Sequence, residues 1–290
     1  PHGEGRRGRG ILGGVTAPKR EGRATANRFG REMTQDAGKT DDRPLRVVLF
    51  GAESRELRPL FEPHPGLLLV DHAPDVVVAY GGDGTLLAAE LRWPGLPKVP
   101  VLNSRLGHRC IPHPAPEVIG ALAGGALTRC EYTKLECEVH PPEPGRPGSD
   151  FTLTCLNEIN VHMGRINSAV RFRLWLDGHP FDGGAEIIGD GFVACTPFGS
   201  TAYFNAITKG VFSRGIGIAF KATSHRTSHL VVPEDVTARF VITRGPALLA
   251  FDNAPEYVSL NADDELVVRR HPQNAVLLTC GPVTPLHEPF

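Results

Sequence analysis

The fold of this chain is decided by the stretch Val76–Leu87, which reads VVVAYGGDGTLL. Its apolar and largely β-branched first half, Val76–Tyr80, is typical of a buried strand in a parallel sheet. Glycines, an aspartate and a threonine follow at once, and the residues after Thr85 are good helix formers. The order strand, glycine turn, helix start directs backbone N–H groups and the positive end of a helix dipole at an anion. The stretch therefore predicts an α/β fold with a phosphate-binding turn at the end of a strand.

The aspartate inside this turn, Asp83, is unexpected because a carboxylate repels phosphate. Its presence is explained if the side chain contacts a magnesium ion or takes a proton from an attacking hydroxyl. A tight turn in which Asp83 bonds its own backbone is the alternative, since turn aspartates often do so. The turn alone leaves both alternatives open, because short glycine motifs occur in many unrelated proteins.

The composition argues against several classes of protein. The 290 residues carry a formal net charge of -1, which gives no reason to expect nucleic acid or a membrane surface as a partner. Aromatic residues are sparse at 7%, so a stacking platform for bases is not indicated. No apolar run reaches the ~20 residues that a membrane-spanning helix needs. The six cysteines form no C-x-x-C pair, and we expect reduced thiols in a cytoplasmic protein.

The patterning predicts four segments. Residues 1–44 are rich in glycine and arginine without an apolar period, and we expect a disordered basic leader, with an arm that contacts nucleic acid as the alternative. In residues 45–130 apolar runs alternate with helical stretches, which predicts a Rossmann-like parallel sheet. Residues 131–272 hold short strands separated by proline and glycine, which predicts a β-rich, sandwich-like domain. The tail, 273–290, contains an apolar run, and we expect it to return to the first domain.

A second turn of phosphate-binding type follows the apolar strand Phe192–Cys195. It reads TPFGSTAY over Thr196–Tyr203, where Gly199 permits a close approach. Ser200 and Thr201 offer hydroxyls and are good N-caps for a following helix. Taken alone, the segment is typical of an ordinary capped helix start, with phosphate binding as the alternative.

A polar pair, Asn157-Glu158, interrupts the strand-like run TLTCLNEINVH. A carboxylate in such a position needs partners, because burying it without them is costly. Internal hydrogen bonds or the hydroxyl groups of a ligand could supply these partners.

Together, these motifs make the chain resemble the NAD kinase family, which phosphorylates the 2′-hydroxyl of the adenosine ribose of NAD to give NADP. The motifs occur in the family's order over the region from about Leu45 to the C-terminus: GGDGT at Gly81–Thr85, Asn157-Glu158, the run Asp190–Tyr203, and a late segment at Ala250–Asn253. Lipid kinases share the glycine motif. The Asn-Glu pair and the GSTAY turn favour the nicotinamide branch.

The resemblance implies a homodimeric or homotetrameric enzyme that takes the γ-phosphate from ATP, with Mg²⁺ or another divalent cation on the nucleotide and no direct protein ligands for the metal. It implies Asp83 as the general base, with ribose hydroxyls held at Asn157-Glu158 and the nicotinamide end at Asp190. The implied phosphate-binding residues are Gly81, Gly82, Gly84 and Thr85. The implied NAD-binding residues are Asn103, Asn157, Glu158, Asp190, Ser200, Thr201, Ala202, Tyr203 and Asp252.

Departures from the family pattern keep two alternatives open, a kinase of another acceptor (a lipid or a nucleoside) and a dinucleotide-binding sensor without turnover. Ile188 stands where a basic residue commonly precedes the Asp-Gly pair, and Asn253 replaces the glycine after Asp252. The segment 221–229, KATSHRTSH, bears little likeness to the family's proline-rich stretch.

Overall fold

The computed structural model describes residues 43–104, 110–142 and 151–281. The predicted leader lies outside the described residues except for its last two positions, and so does the end of the tail. The described residues form nineteen strands, numbered β1 to β19 in chain order, in three sheets. No helix in these ranges combines the length and apolar character needed to cross a membrane.

The first sheet is mainly parallel and has the order β2-β1-β3-β4-β19-β5. Its only antiparallel pair among the described residues is β5 with β19. Its strands are β1 (Leu45–Phe50), β2 (Leu67–Leu69), β3 (Val76–Gly81), β4 (Lys98–Leu102), β5 (Thr128–Tyr132) and β19 (Ala275–Thr279).

Helices cover both faces of this sheet, which explains why β3 reads as a continuous apolar run. On one face, α1 (Asp83–Arg92) packs Ala89 against Val77 and Ala79. On the other face, α2 (Ala115–Ala123) and a 3-10 helix (Ser54–Phe61) cover Val76 and Val78. The first of the helical stretches expected in residues 45–130 is thus a 3-10 helix. Pro59 lies inside it and lacks the N–H that an α-helical hydrogen bond requires.

The second and third sheets are antiparallel and pack face to face. The second has the order β10-β9-β15-β18-β6-β7, with β11 also on β9, and the third has the order β14-β13-β12-β8-β16-β17. The strands of the second sheet are β6 (Leu135–His140), β7 (Phe151–Cys155), β9 (Val170–Leu176), β10 (His179–Pro180), β11 (Ile187–Gly189), β15 (Ala238–Arg244) and β18 (Glu265–Arg270). The strands of the third are β8 (Glu158–Met163), β12 (Gly191–Cys195), β13 (Ile216–Lys221), β14 (His229–Val232), β16 (Ala247–Phe251) and β17 (Val258–Leu260).

Alternate residues of these two sheets meet in one apolar core. Phe172 and Phe240 from the second sheet pack on Phe192 from the third, and the Phe192 and Phe240 rings stack with centroids 3.9 Å apart. The predicted fold class, a Rossmann-like parallel sheet followed by a β-rich sandwich, is confirmed.

Two runs that read as single strands are each divided in the structure. The run Tyr132–His140 contains the end of β5 in the first sheet and β6 in the second, joined through Thr133 and Lys134. The run Phe151–His162 is broken at Leu156-Asn157, where β7 of the second sheet gives way to β8 of the third. In both cases, a short apolar pattern does not reveal which sheet each half joins.

A buried ionic cluster lies where the chain passes from the first sheet to the second. The ammonium of Lys134 is 2.9 Å from Glu90 Oε1 on α1, and the ammonium of Lys98 bonds Glu90 Oε2. The side chains of Lys98 and Lys134 are 0% and 1% exposed and that of Glu90 is 4% exposed. Burial lowers the pKa of Lys98, while the charge of Glu90 opposes this effect.

Candidate active site

The glycine turn after β3 places Asp83 in the first turn of α1. The helix begins at Asp83 with Gly82 as its N-cap, three residues before Leu86, the first of the helix formers that follow Thr85. The Asp83 carboxylate, half-buried, therefore lies at the positive end of the helix dipole, which stabilises negative charge. The thiol of Cys110 donates toward Asp83 Oδ1 over 3.8 Å. Burial, together with the charge of Asp83, raises the pKa of this thiol to about 12, so Cys110 is a neutral donor.

The glycines of this turn are needed for close packing rather than for positive φ angles, which none of them adopts. A Cβ atom on Gly81 would lie 2.2 Å from Thr85 Oγ1, and one on Gly84 would lie 2.4 Å from Asn253 Nδ2. A glycine with a positive φ does lie beside this turn: Gly51, directly after β1, has φ +126°. The side chain of Asn253 thus reaches from the end of β16 to the start of α1.

An open cleft lies at this point. Its volume is about 450 Å³, and residues from the end of β1, from α1 and from the segment after β16 line it, among them Gly51, Ala52, Gly84, Thr85 and Asn253. Two of the predicted phosphate-binding residues, Gly84 and Thr85, therefore border a cleft large enough for part of a nucleotide.

The turn that carries Asn157-Glu158 is held by Asp252. Asp252 Oδ1 accepts from the backbone nitrogens of Asn157 at 2.7 Å and Glu158 at 3.3 Å, and Oδ2 accepts from that of Leu156 at 2.8 Å. Burial raises the pKa of Asp252 to about 6, and these three hydrogen bonds oppose the rise. Because both of its oxygens are engaged, Asp252 is placed to support the turn rather than to contact a ligand.

Glu158, at the start of β8, has a buried Oε2 atom without a hydrogen-bond partner among the described residues. Burial, with a contribution from the charge of Asp252, raises the pKa of Glu158 to about 8. The side chain is therefore protonated at neutral pH and can both donate and accept a hydrogen bond. An unsatisfied buried oxygen of this kind is suited to a hydroxyl group of a ligand.

The TPFGSTAY turn packs directly on this segment. The hydroxyl of Thr196 donates to the Leu156 carbonyl at 2.6 Å and accepts from the Gly199 nitrogen at 3.1 Å. A Cβ atom on Gly199 would lie 2.3 Å from the carbonyl oxygen of Asn157, so only glycine permits this approach. The backbone of the TPFGSTAY turn therefore packs directly against the backbone of the Asn157-Glu158 turn.

The expectation that Ser200 and Thr201 cap the next helix is wrong. Residues Gly199–Thr201 form a 3-10 turn, α3 runs over Tyr203–Thr208, and Ala202 stands at its N-cap without a side-chain hydrogen bond. Ser200 is fully buried, and its hydroxyl donates to the carbonyls of Pro197 at 2.7 Å and Phe212 at 3.1 Å. This differs from the ligand contact expected for Ser200, because its oxygen faces the interior of the turn.

The two glycine turns converge on one apolar cluster. Leu86 and Leu87 of α1 pack with Leu156 and with Phe198 of the second turn, and strand β19 closes the cluster. Contacts from Gly84 to Asn253, from Asp252 to Asn157 and from Asn157 to Gly199 complete the connection. The structure thus brings together residues from three distant segments of the chain.

At the other end of β8, four polar residues lie close together. Lys221 donates to Asn160 Oδ1, and its ammonium lies 5.3 Å from the centre of the Tyr203 ring. The backbone nitrogen of Asp190 donates to the Lys221 carbonyl at 2.8 Å. Burial lowers the pKa of Lys221 to about 8, and the charge of Asp190 opposes this effect. Tyr203 is 38% exposed, Ala202 is exposed and Thr201 is half-buried.

Lys221 and Asn160 are functional candidates that the sequence analysis did not identify. The alternation of polar residues at 158, 160 and 162 is a detectable signal for Asn160. The only sequence signal for Lys221 is a charged residue at the end of an apolar strand. Its proximity to Asp190 follows from the pairing of strands, which the sequence does not show.

Asn103 lies at the same edge of the first sheet, but its side chain has a partner. Its Nδ2 atom donates to Glu53 Oε2 at 2.6 Å, and its backbone nitrogen donates to the Gly81 carbonyl at 2.9 Å. Asn103 therefore joins the loop after β1 to the start of the glycine turn, and Glu53 is a third residue that the sequence did not point to.

Comparisons with known proteins agree with this arrangement. No protein-family model matches the chain. The chain is 30% identical to the NAD kinase of Chloroflexus aggregans over 222 residues, which cover 72% of this chain and 76% of that protein. In fold it resembles a yeast NADH kinase solved with NADH, with a TM-score of 0.72, 17% identity and coverage of 83% and 85%. It also resembles an NAD kinase from Archaeoglobus fulgidus solved with ATP, with a TM-score of 0.63, 18% identity and coverage of 83% and 95%.

Proposed function

Because the chain belongs to the NAD kinase family, we propose that it transfers the γ-phosphate of ATP to the 2′-hydroxyl of the adenosine ribose of NAD, producing NADP. The observation that carries the proposal is the contact between the Gly84 turn, the Asn157-Glu158 turn and the Gly199 turn. A phosphate donor and a ribose acceptor must meet within bond-forming distance, and the packing of all three turns around one apolar cluster supports such a meeting.

Phosphate binding is assigned to the start of α1. The backbone N–H groups of Gly82 and Gly84 lie in or next to its first turn, with Gly81 directly before them, whereas the N–H of Thr85 donates to the Gly82 carbonyl at 3.0 Å and leaves its hydroxyl for a ligand. Such groups and the helix dipole attract phosphate oxygens without a side chain. The cleft beside Gly84 and Thr85 supports the same assignment.

The acceptor ribose is assigned to Asn157 and Glu158, and the proton transfer to Asp83. Glu158 has the unpartnered oxygen that a ribose hydroxyl can bond. Asp83 aligns the 2′-hydroxyl and accepts its proton as the oxygen attacks the γ-phosphorus. Positioning of the two substrates supplies most of the acceleration in reactions of this type.

The rest of NAD is assigned to the Tyr203 end of the site. Thr201, Ala202 and Tyr203 line the pocket, and Asp190 meets the nicotinamide end. Ser200, Asp252 and Asn103 act by holding turns in place, because their polar side-chain atoms bond protein atoms.

The donor set fits a cation that is held by the nucleotide. Mg²⁺ is commonly bound by one or two protein carboxylates together with the phosphate oxygens of the substrate. Asp83, at the phosphate turn, is suited to be such a carboxylate. When bound, Mg²⁺ neutralises charge on the transferred phosphate.

We further propose a division into an α/β domain (45–130, with β5 ending at Tyr132), a β-rich domain (131–272) and a tail that returns to the first sheet (273–290). The resemblance to NAD kinases supports a homodimer or homotetramer. All six cysteines are unpaired, which supports a reducing compartment such as the cytoplasm.

An acceptor panel tests the proposed function. The full chain is incubated with Mg²⁺ and labelled ATP, and NAD, NADH, a nucleoside and a diacylglycerol are offered as acceptors. We expect labelled NADP from NAD and no labelled lipid or nucleoside. Labelling of the lipid or nucleoside alone, or binding of NAD by calorimetry with no NADP formed, contradicts the proposal.

A further inference from the structure

A row of polar side chains runs along the outer face of the third sheet. In β8, Ile159 and Val161 face the core of the sandwich, so Glu158, Asn160 and His162 face the opposite side. Successive members of this row are about 7 Å apart, since a strand rises about 3.4 Å per residue. The row therefore leads from the proposed ribose position at Glu158 toward the other half of the dinucleotide.

Lys221 enters this row from β13. Its neighbour Phe220 faces the sandwich core, so Lys221 faces the same side as Asn160 and bonds its Oδ1 atom. Helix α3 covers this face, because Phe204 packs on Ala219 two residues before Lys221. Lys221 is 5% exposed, and a buried ammonium needs compensating partners.

The partners of Lys221 include two residues of the proposed NAD pocket. The ammonium lies 5.3 Å from the centre of the Tyr203 ring, within the range of a cation–π interaction. The negative charge of Asp190 also acts on it, and the Asp190 backbone is bonded to the Lys221 carbonyl. Lys221 thus reaches Tyr203 with its side chain and Asp190 with its backbone carbonyl, while the charge of Asp190 acts on its ammonium.

A positive charge reaches Asp190 from Lys221 and not from the residue two positions before Asp190. That residue, Ile188, is 39% exposed and supplies no charge. Lys221 brings a positive charge to Asp190 from a different strand. The pairing of β12 with β13 places Lys221 opposite Gly191, the residue that directly follows Asp190.

We propose that Lys221 is a positioning residue for NAD, which holds the ring of Tyr203 and the carboxylate of Asp190 in the arrangement that binds the dinucleotide. The inference rests on the proposed function, in which Tyr203 and Asp190 contact NAD. Lys221 acts through these two residues and not on the transferred phosphate.

The test compares Lys221→Met, Lys221→Gln and Lys221→Arg in the full chain, with Lys209→Met as the control. Lys209 is exposed at the end of α3, and its ammonium donates to the Ala206 carbonyl at 3.1 Å, away from Tyr203 and Asp190. We expect Met and Gln to raise KM and Kd for NAD about tenfold while kcat and the KM for ATP stay within about twofold. Arginine keeps the charge and should restore most of the affinity.

A double-mutant cycle with Tyr203→Leu identifies the route. If Lys221 acts partly through the ring, Lys221→Met raises the KM of Tyr203→Leu by a smaller factor than it raises the KM of the wild-type chain, and the remaining effect passes through Asp190. Additive effects, unchanged KM and Kd in both neutral variants, or equal losses in the arginine and methionine variants overturn the inference. If the wild-type chain binds NAD but forms no NADP, the proposed function fails while the Kd series still decides the role of Lys221. If it does not bind NAD, both fail.

Discussion

The Oδ1 atom of Asp252 lies 3.3 Å from the backbone nitrogen of Glu158, so the carboxylate that anchors the start of β8 also stands close to the Glu158 side chain. Burial, together with the charge of Asp252, raises the cost of ionising Glu158. Asp252 has three N–H donors and the lower pKa, about 6, whereas the pKa of Glu158 is about 8. At neutral pH the pair therefore holds one proton, mainly on Glu158.

This proton makes the stability of Glu158→Gln depend on pH. A carboxyl whose pKa is raised by folding stabilises the protein fully below its unfolded pKa, and this contribution is lost as pH rises through the folded pKa. We expect Glu158→Gln to be close to wild type at pH 5. At pH 9 it should be more stable by about 2 kcal/mol, allowing for screening of a half-buried group.

Urea denaturation at pH 5, 7 and 9 measures the difference in the free energy of unfolding. Glu56→Gln, at an exposed position, is the control and should show the same small difference at each pH. A difference for Glu158→Gln that does not grow with pH would show that Glu158 is ionised throughout.

Replacing Asp83 separates catalysis from binding. Asp83→Asn keeps the size of the side chain, and asparagine is also tolerated at the start of a helix. The substitution removes the carboxylate that accepts the proton. We expect kcat for NADP formation to fall by about 10²–10⁴, with the Kd for NAD nearly unchanged by calorimetry. Asp71→Asn, on the exposed connection after β2, is the control. Full turnover in Asp83→Asn is incompatible with Asp83 as general base.

The close approach of the two turns predicts a large effect at Gly199. Gly199→Ala places a Cβ atom 2.3 Å from the Asn157 carbonyl oxygen, and we expect a loss of about 1–3 kcal/mol in the free energy of unfolding and weaker NAD binding. Gly120→Ala, in the open on α2, should instead gain about 0.5–1 kcal/mol. Denaturation and calorimetry on both variants check this, and equal stability of the two would contradict the packing.

The buried ionic cluster predicts an asymmetry between its members. Glu90→Gln leaves two buried ammonium groups without a counter-charge and should cost about 3–5 kcal/mol. Lys134→Met leaves the Glu90–Lys98 pair intact and should cost less. Glu131→Gln, which breaks the exposed pair with Arg129, should cause no measurable change in denaturation midpoint. If Lys134→Met proves the more damaging of the first two, Glu90 is not the centre of the cluster.

The sequence predicted the fold well where apolar runs are bounded by turn residues. The run Val76–Tyr80 and its glycine turn decided the parallel sheet, and the short strands after Leu135 indicated the sandwich. The sequence misled where one continuous strand-like run forms two strands in different sheets, as in Phe151–His162. Only the carboxylate of Asp252, 95 residues from Asn157 along the chain, explains why the strand breaks there.

For the site, the motifs located the turns but not the direction of their side chains. Ser200 has a hydroxyl that suits a ligand, yet that hydroxyl donates to two carbonyls inside the turn. Lys221 and Glu53 were missed because their partners, Asn160 and Asn103, are 61 and 50 residues away. Such pairings follow from sheet register and loop packing, which local residue patterns do not encode.

The position of β19 has a consequence for synthesis on the ribosome. Among the described residues, β5 pairs only with β19, so it remains without a hydrogen-bonded neighbour until residues 275–279 have emerged. Nascent chains stalled before residue 275 should therefore expose the open side of β4 and recruit chaperones, and release of this last strand should end that vulnerable period.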